Sequence, residues 1–401
     1  MLLVIFLLTA SLVLGANEQD EQAPAAKRQI IDAAWQNFQN LFYDPDFRGV
    51  DWNEVHREYQ HRVDQVQTRQ QLADLIREMV ATLHNSHSGF MTNEEWRRTR
   101  NILPFFFDSI SGHVFVSYVF QARESGPEIP LQFGDEILTV DGLPSTEMKP
   151  PTVFWVDPVM TNPYYGPAKS IAKLTIRRGT LVQKVEVTRV QRFADVVPVV
   201  YRKLDSRVAY LRFLKMDQNT ISLSALRSIL EEALTSDALV IDVRHCVGGD
   251  TPVMALVGGM LLGPGVEVGK TIRRGESPSD KNARTERTSD FGAVYKGKVA
   301  LLTDSNTESE PELLAAALQE LGRAQIIGLR TRGALNGDME GIDLPSNFGI
   351  LVVPIDRGIS PHGKEYEGIG VAPDVPSENS PADFQIGRDA VIETARHSLG
   401  R

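Results

Sequence analysis

The chain has a single cysteine, Cys246, in 401 residues, so it can form no internal disulfide and build no cysteine-based zinc site. It also lacks a dense lysine and arginine cluster, and its formal charge of -10 points to solubility rather than to a nucleic-acid partner. No Asn-x-Ser/Thr acceptor occurs, nor an HExxH metal motif, nor a G-x-S-x-G elbow, which sets aside an esterase of the α/β-hydrolase kind. PGVEVGKT has the outline of a phosphate loop, but Pro264 stands where the first glycine belongs, and nucleotide binding is rejected on that ground. The longest apolar run, Leu2 to Leu14, is broken by Thr9, Ala10 and Ser11 and falls short of the ~20 residues a membrane-spanning helix needs.

That run is followed by Gly15, Ala16 and a polar stretch, the pattern of a secretory signal peptide cut near Ala16. An exported chain without disulfides depends on its core, and 42% apolar with 23% charged residues is the balance of a folded soluble protein. Its length predicts two or three domains. From Lys27 to Leu83 apolar residues recur at helical spacing, around an Asp- and Gly-rich loop at Asp44 to Asp51. From Ile102 the pattern becomes short alternating strands such as Val114 to Val119, closing on FGDEILTVDG. A proline-rich stretch, Pro150 to Pro167, reads as an insertion or mobile loop whose Trp155, Tyr164 and Tyr165 either meet a ligand or pack on the β module. Beyond Val200 apolar strands alternate with helices, which predicts α/β architecture.

The segment KVALLTDSNTESEPELLAAALQELG holds the clearest chemistry. Val299 to Thr303 predicts a buried strand, Pro311 suits a first helical turn, and Gly322 is the stop. Ser309 therefore falls at a strand-to-helix turn, where free N–H groups favour developing negative charge, as an acyl-transfer nucleophile requires. The plainer alternative is a helix-capping serine. A serine nucleophile needs a base, and His87, in the polar loop LHNSHSGF, is the candidate among eight histidines. In ALVIDVRHCVGGD, Gly248 and Gly249 either form a tight turn or offer N–H groups to an oxyanion. In YEGIGVAPDV, Glu367 or Asp374 could orient a histidine or cap a turn, and spacing does not choose between them.

Taken in order, these strings resemble the tail-specific, or C-terminal processing, serine protease family, closest to its tricorn core and interphotoreceptor retinoid-binding protein-like branch. The resemblance implies a multidomain α/β fold. Its parts are a signal peptide at 1–16, an N-terminal helical domain at 22–99, a PDZ-like domain at 100–195 and a crotonase/ClpP-like catalytic domain at 196–401. It implies Ser309 as nucleophile. The family's alternative lysine base would fall on Ala334, which excludes a Ser-Lys dyad and leaves His87 as base, with Ser86 and Glu367 behind it. N–H groups of Gly248, Gly249 and Glu310 would then meet the oxyanion. The expected function is endopeptidase cleavage of unfolded or C-terminally exposed polypeptides, in the periplasm or outside the cell, with no cofactor, metal, nucleic acid or membrane span after signal removal. Glu308, Glu310 and Pro311 surround Ser309 where the family places small residues, so the alternative is an inactive homologue that binds peptides or apolar ligands.

Overall fold

In the computed structural model of the chain, residues 23–123, 128–149, 159–191, 193–279 and 283–400 are described. The expected signal segment and Trp155 lie outside them. The first helices form where the sequence supplies caps. Asp51 accepts from the Glu54 N–H to start Trp52–Arg62, and Thr68 forms a reciprocal capping box with Gln71 to start Arg69–Ala81. Together with Pro24–Leu41 they bury one apolar face each around Ile30, Phe38 and Ile76.

That core is not closed by the N-terminal sequence alone. Strand Gly89–Thr92 pairs antiparallel with Gly349–Pro354, which pairs with Met339–Asp343. The hairpin contributes Leu344, Phe348, Leu351 and Val353 to the helical core. Phe348 is 0% exposed and stacks on Phe90 with ring centroids 5.4 Å apart, under the guanidinium of Arg69.

A second core lies in an antiparallel sheet of Phe105–Ile110, His113–Val119, Glu136–Val140, Ile171–Arg178 and Leu181–Thr188. Tyr164 and Tyr165 belong to it as packing residues. Both are buried, and the Tyr164 hydroxyl donates to the Phe105 carbonyl at 2.6 Å.

The third unit is a six-stranded sheet in the order Val199–Lys203, Val208–Phe213, Ala238–Asp242, Lys298–Thr303, Gln325–Gly328 and Val375–Pro376. The first pair is antiparallel and the rest are parallel. Register places Leu211, Ile241, Leu301 and Ile326 in one row across the sheet. All four are wholly buried, under the helices Leu223–Ala233, Thr251–Leu262 and Glu310–Glu320. The opposite face packs on helix Ala390–Ser398. Such double coverage is what continuous apolar strands require.

Because Phe348 fills the joint between the hairpin and the N-terminal helices, Phe348→Ala should lower stability by about 3 to 5 kcal/mol. Urea unfolding of the variant against wild type measures it, and a loss below about 1 kcal/mol would show that the hairpin does not complete this core.

Candidate functional site

Strand Lys298–Thr303 ends in a turn that Thr307 fastens, its hydroxyl donating to the Val243 carbonyl at 3.0 Å. The chain then runs beside the glycine turn. Glu308 N–H donates to the Cys246 carbonyl at 3.1 Å, and Val247 and Glu308 form a parallel bridge. Ser309 follows at φ 62°, ψ -127°, immediately before helix Glu310–Glu320. A non-glycine residue there costs of order 1–3 kcal/mol and persists only where its surroundings hold it. Here Ser309 N–H donates to the Ala334 carbonyl at 2.9 Å and to Glu312 Oε2 at 3.1 Å.

Glu312 is the clamp of this turn. Its carboxylate, 0% exposed, also accepts from the Thr331 hydroxyl at 2.6 Å, Gly333 N–H at 2.7 Å and Ala334 N–H at 2.8 Å. Burial pushes its pKa up to about 7 despite these donors. Pro311, lacking an N–H, sits in the first helical turn where none is needed.

Gly248, with φ 87°, lies against the Ser309 turn, and a Cβ placed on it would stand 3.5 Å from Ser309 Cβ and 3.4 Å from Lys215 Nζ. Gly249 packs against Met216, where a side chain would collide with the Met216 carbonyl. Of the two acids flanking Ser309, Glu308 is wholly buried and faces Arg332 Nε at 3.5 Å. Glu310 Oε1 is buried without a hydrogen-bond partner among the described residues. Burial, then the neighbouring Glu286 and Asp250, push the Glu310 carboxyl up to about 8.

His87 is 0% exposed in a loop that Asn85 ties together, Asn85 Oδ1 accepting from His87 N–H at 2.9 Å and Ser88 Oγ at 3.2 Å. Its Nδ1 lies 2.7 Å from Ser86 Oγ. Glu367 takes both protons Ser86 can donate, Oε1 from the N–H at 2.7 Å and Oε2 from the hydroxyl at 2.8 Å. A hydroxyl has one proton, so with that proton donated in the hydrogen bond to Glu367, Ser86 Oγ accepts from His87 Nδ1–H, and the lone pair of the neutral ring resides on Nε2. Burial lowers the His87 pKa to about 3 and raises that of Glu367.

The two halves meet on segment 331–336. Its Thr331, Gly333 and Ala334 hold Glu312, its Leu335 N–H donates to Glu367, and its Asn336 Nδ2 donates to Asn85 Oδ1 at 3.2 Å. Ser309, Glu367 and the His87 loop are thus attached to one stretch of six residues. Asp374 is elsewhere, accepting from Gln319 and from the Ile326 N–H. Lys215 and Asn336 carry no sequence motif, and Asn85 and Glu312 lie unremarked inside LHNSHSGF and the segment 298–322. Asp108, His245 and Asp304 form the one group of three metal-capable donors among the described residues, within 4.8 Å of one another. His245 Nε2 contacts Asp108 Oδ1 at 2.9 Å and Asp304 Oδ2 at 3.2 Å, joining the β module to the parallel sheet. Burial opposes a charged His245, but Asp304 and Asp108 outweigh it and hold its pKa above the usual value.

Residues 207–377 match peptidase family S41, and residues 23–81 match the tricorn protease C1 domain. Tricorn protease homolog 1 of Streptomyces coelicolor is 24% identical across 95% of this chain, which spans 36% of that relative's length. The chloroplastic carboxyl-terminal-processing peptidase 1 of Arabidopsis thaliana is 24% identical, with 86% of this chain and 71% of the relative covered. Among solved structures, the photosystem II D1 C-terminal processing protease superposes with a TM-score of 0.58 at 22% identity, covering 88% of this chain and 93% of that one. The tricorn protease gives 0.55 at 18% identity, covering 94% of this chain and 36% of that one. The α/β portion of the chain is thus similar to peptidase family S41 over residues 207–377. More particularly, its N-terminal residues 23–81 are similar to the tricorn C1 domain, and its relatives include tricorn-type and carboxyl-terminal-processing proteases.

Removing the Glu312 clamp strands four donors, so Glu312→Ala should lose about 3 to 5 kcal/mol by denaturant unfolding. A change within ~0.5 kcal/mol, the range of an ordinary surface substitution, would contradict the clamp. Below pH 6.5 the unfolded chain protonates this histidine while the folded chain refuses the proton until about pH 3, so that part of stability is present above 6.5 and lost through that window. His87→Gln should therefore gain on wild type in melting temperature as pH falls from 7 to 4. A constant difference across that range would place a charged imidazole in the fold.

Proposed function

We propose that the chain hydrolyses peptide bonds of unfolded or C-terminally exposed polypeptides with Ser309 as nucleophile, His87 as base, and Ser86 and Glu367 as its support. The observation that carries this reading is the Glu367–Ser86–His87 relay anchored to the same segment 331–336 that accepts from Ser309 N–H. Ser309 Oγ attacks the scissile carbonyl while His87 Nε2 takes its proton. Glu367, through Ser86, stabilises the imidazolium so formed. The oxyanion is met by N–H groups of Gly248 or Gly249 and of Glu310, each donor being worth ~10²- to 10³-fold in rate. His87 returns the proton to the leaving amine as the C–N bond breaks, and water, activated by the same imidazole, then cleaves the acyl ester and restores Ser309.

In this reading residues 22–99 with the 339–354 hairpin are the helical domain, 100–195 a PDZ-like domain that selects substrates, and 196–401 a crotonase/ClpP-like catalytic domain. Leu103 to Phe107 reads LPFFF where a PDZ domain carries a glycine-rich carboxylate loop, so strand addition would capture substrate without that loop's grip on a free C-terminal carboxylate. Export through the 1–16 segment would place the activity in the periplasm or outside the cell. No described helix is long and apolar enough to cross a membrane.

Casein digestion tests the assignment. Ser309→Ala and His87→Ala should each reduce cleavage by about 10³-fold or more, and unchanged cleavage in both would remove these residues from the mechanism. The inactive, ligand-binding alternative draws on the buried acid at Glu310, and predicts no Ser309-dependent cleavage with peptide binding retained.

A further inference from the structure

His245 stands where the β module meets the parallel sheet, and its outer ring nitrogen is oversubscribed. The residue lies between strand Ala238–Asp242 and helix Thr251–Leu262 at φ 59°, with its side chain 4% exposed. Nε2 faces Asp108 Oδ1 at 2.9 Å, on strand Phe105–Ile110 of the β module. The same nitrogen faces Asp304 Oδ2 at 3.2 Å, directly after strand Lys298–Thr303, and Ser117 Oγ at 3.3 Å. An imidazole nitrogen carries at most one proton, so a single N–H cannot give a full hydrogen bond to two carboxylate oxygens at once. Two neighbouring cations do not make up the difference. Arg244, the preceding residue, is bound to Asp242 and Asp389. Arg212, whose guanidinium lies over the Phe106 ring on which His245 stacks, is bound to Asp242 and to the Arg244 carbonyl.

The separations are those of ligands around one ion. Two donor atoms held about 2.0 to 2.2 Å from a divalent transition metal, at angles between square and tetrahedral, stand about 2.9 to 3.5 Å apart. One donor atom from each of Asp108, His245 and Asp304 lies within 4.8 Å of the other two. These donors are also oriented from behind, as metal ligands are. Asp304 Oδ1 accepts from His245 N–H and Asn306 N–H, each at 3.0 Å, which leaves Oδ2 facing the ring. Phe106 stacks on the imidazole with ring centroids 4.9 Å apart. The side-chain amide of Asn306 lies 3.3 Å from Nδ1. Turned end for end, its oxygen accepts the Nδ1 proton and leaves the Nε2 lone pair for an ion. Asp108, with its side chain 29% exposed, gives the ion a way in. One imidazole and two carboxylates, without a thiolate, suit zinc or manganese, and the imidazole disfavours magnesium and calcium.

We propose that Asp108, His245 and Asp304 bind one divalent transition-metal ion, which fastens the β module to the parallel sheet. The ion sits two residues ahead of Val247, which bridges Glu308, so it also steadies the backbone that carries Ser309. Its role is structural, and its test makes no use of turnover. The full-length chain, stripped with a chelator and dialysed, is titrated calorimetrically with zinc chloride, then with magnesium chloride. One equivalent of zinc should bind, and magnesium far more weakly. Loss of a partner behind a ligand weakens metal sites by about 10- to 100-fold, so Asn306→Ala should cost about that much. Asp108→Asn, which removes a ligand from a partly exposed position, should cost about 100-fold or more. Zinc affinity that stays within about threefold of wild type in Asp108→Asn overturns the site, given what even an outer partner is worth. If that variant does not fold, Asn306→Ala, which keeps all three ligands, is read by the same criterion. The absence of a stoichiometric zinc ion in wild type, or magnesium bound as tightly as zinc, overturns it equally and leaves an ion pair of the ring as the whole of the junction.

Discussion

The buried carboxylate of Glu312 is the contact on which the arrangement of this molecule turns. One side chain at the start of a helix gathers four donors, three from segment 331–336 and one from Ser309 itself. A carboxylate placed at the positive end of a helix, with N–H groups already directed at it, is among the few buried charges that proteins tolerate well. Without it, the backbone of Ser309 would have little reason to remain at a positive φ that only glycine adopts freely.

From that clamp the rest of the centre follows by connection. Segment 331–336 cannot move without carrying the partner of Ser309 N–H, the Leu335 contact to Glu367 and the Asn336 contact to the His87 loop. That loop is secured from its other end by Phe90, whose ring is stacked on Phe348 of the hairpin. Two separate cores, the helical one and that of the parallel sheet, thus meet at one polar junction, and the rigidity of Ser309 and His87 comes from apolar packing at some distance from either.

Much of this was legible in the sequence where the determinants are local. Lys298–Thr303, Pro311 and Gly322 are punctuation that hydrophobic run length and backbone chemistry make readable, and they placed Ser309 at its turn. The hairpin 339–354 was not, since nothing local says that Phe348 will fill a core built by residues three hundred positions earlier. The Ser86, His87 and Glu367 relay joins segments 281 residues apart, and only resemblance to a family could bring them together before the structure did. For Tyr164, in a proline-rich stretch, the sequence left ligand contact and packing on the β module both open, and the side chain is core. The burial of Glu310 was likewise invisible, because a glutamate beside a proline at a helix start is ordinarily solvated.

The account stands or falls on whether Glu312 organises a reactive Ser309. The direct measurement is the rate at which a fluorophosphonate labels the folded protein, with the modified residue located by peptide mass mapping, in wild type and in Glu312→Gln. The account predicts labelling at Ser309 in wild type and a rate lower by about 10²-fold or more in the variant. Labelling at another serine, or an unchanged rate at Ser309 in folded Glu312→Gln, would contradict it.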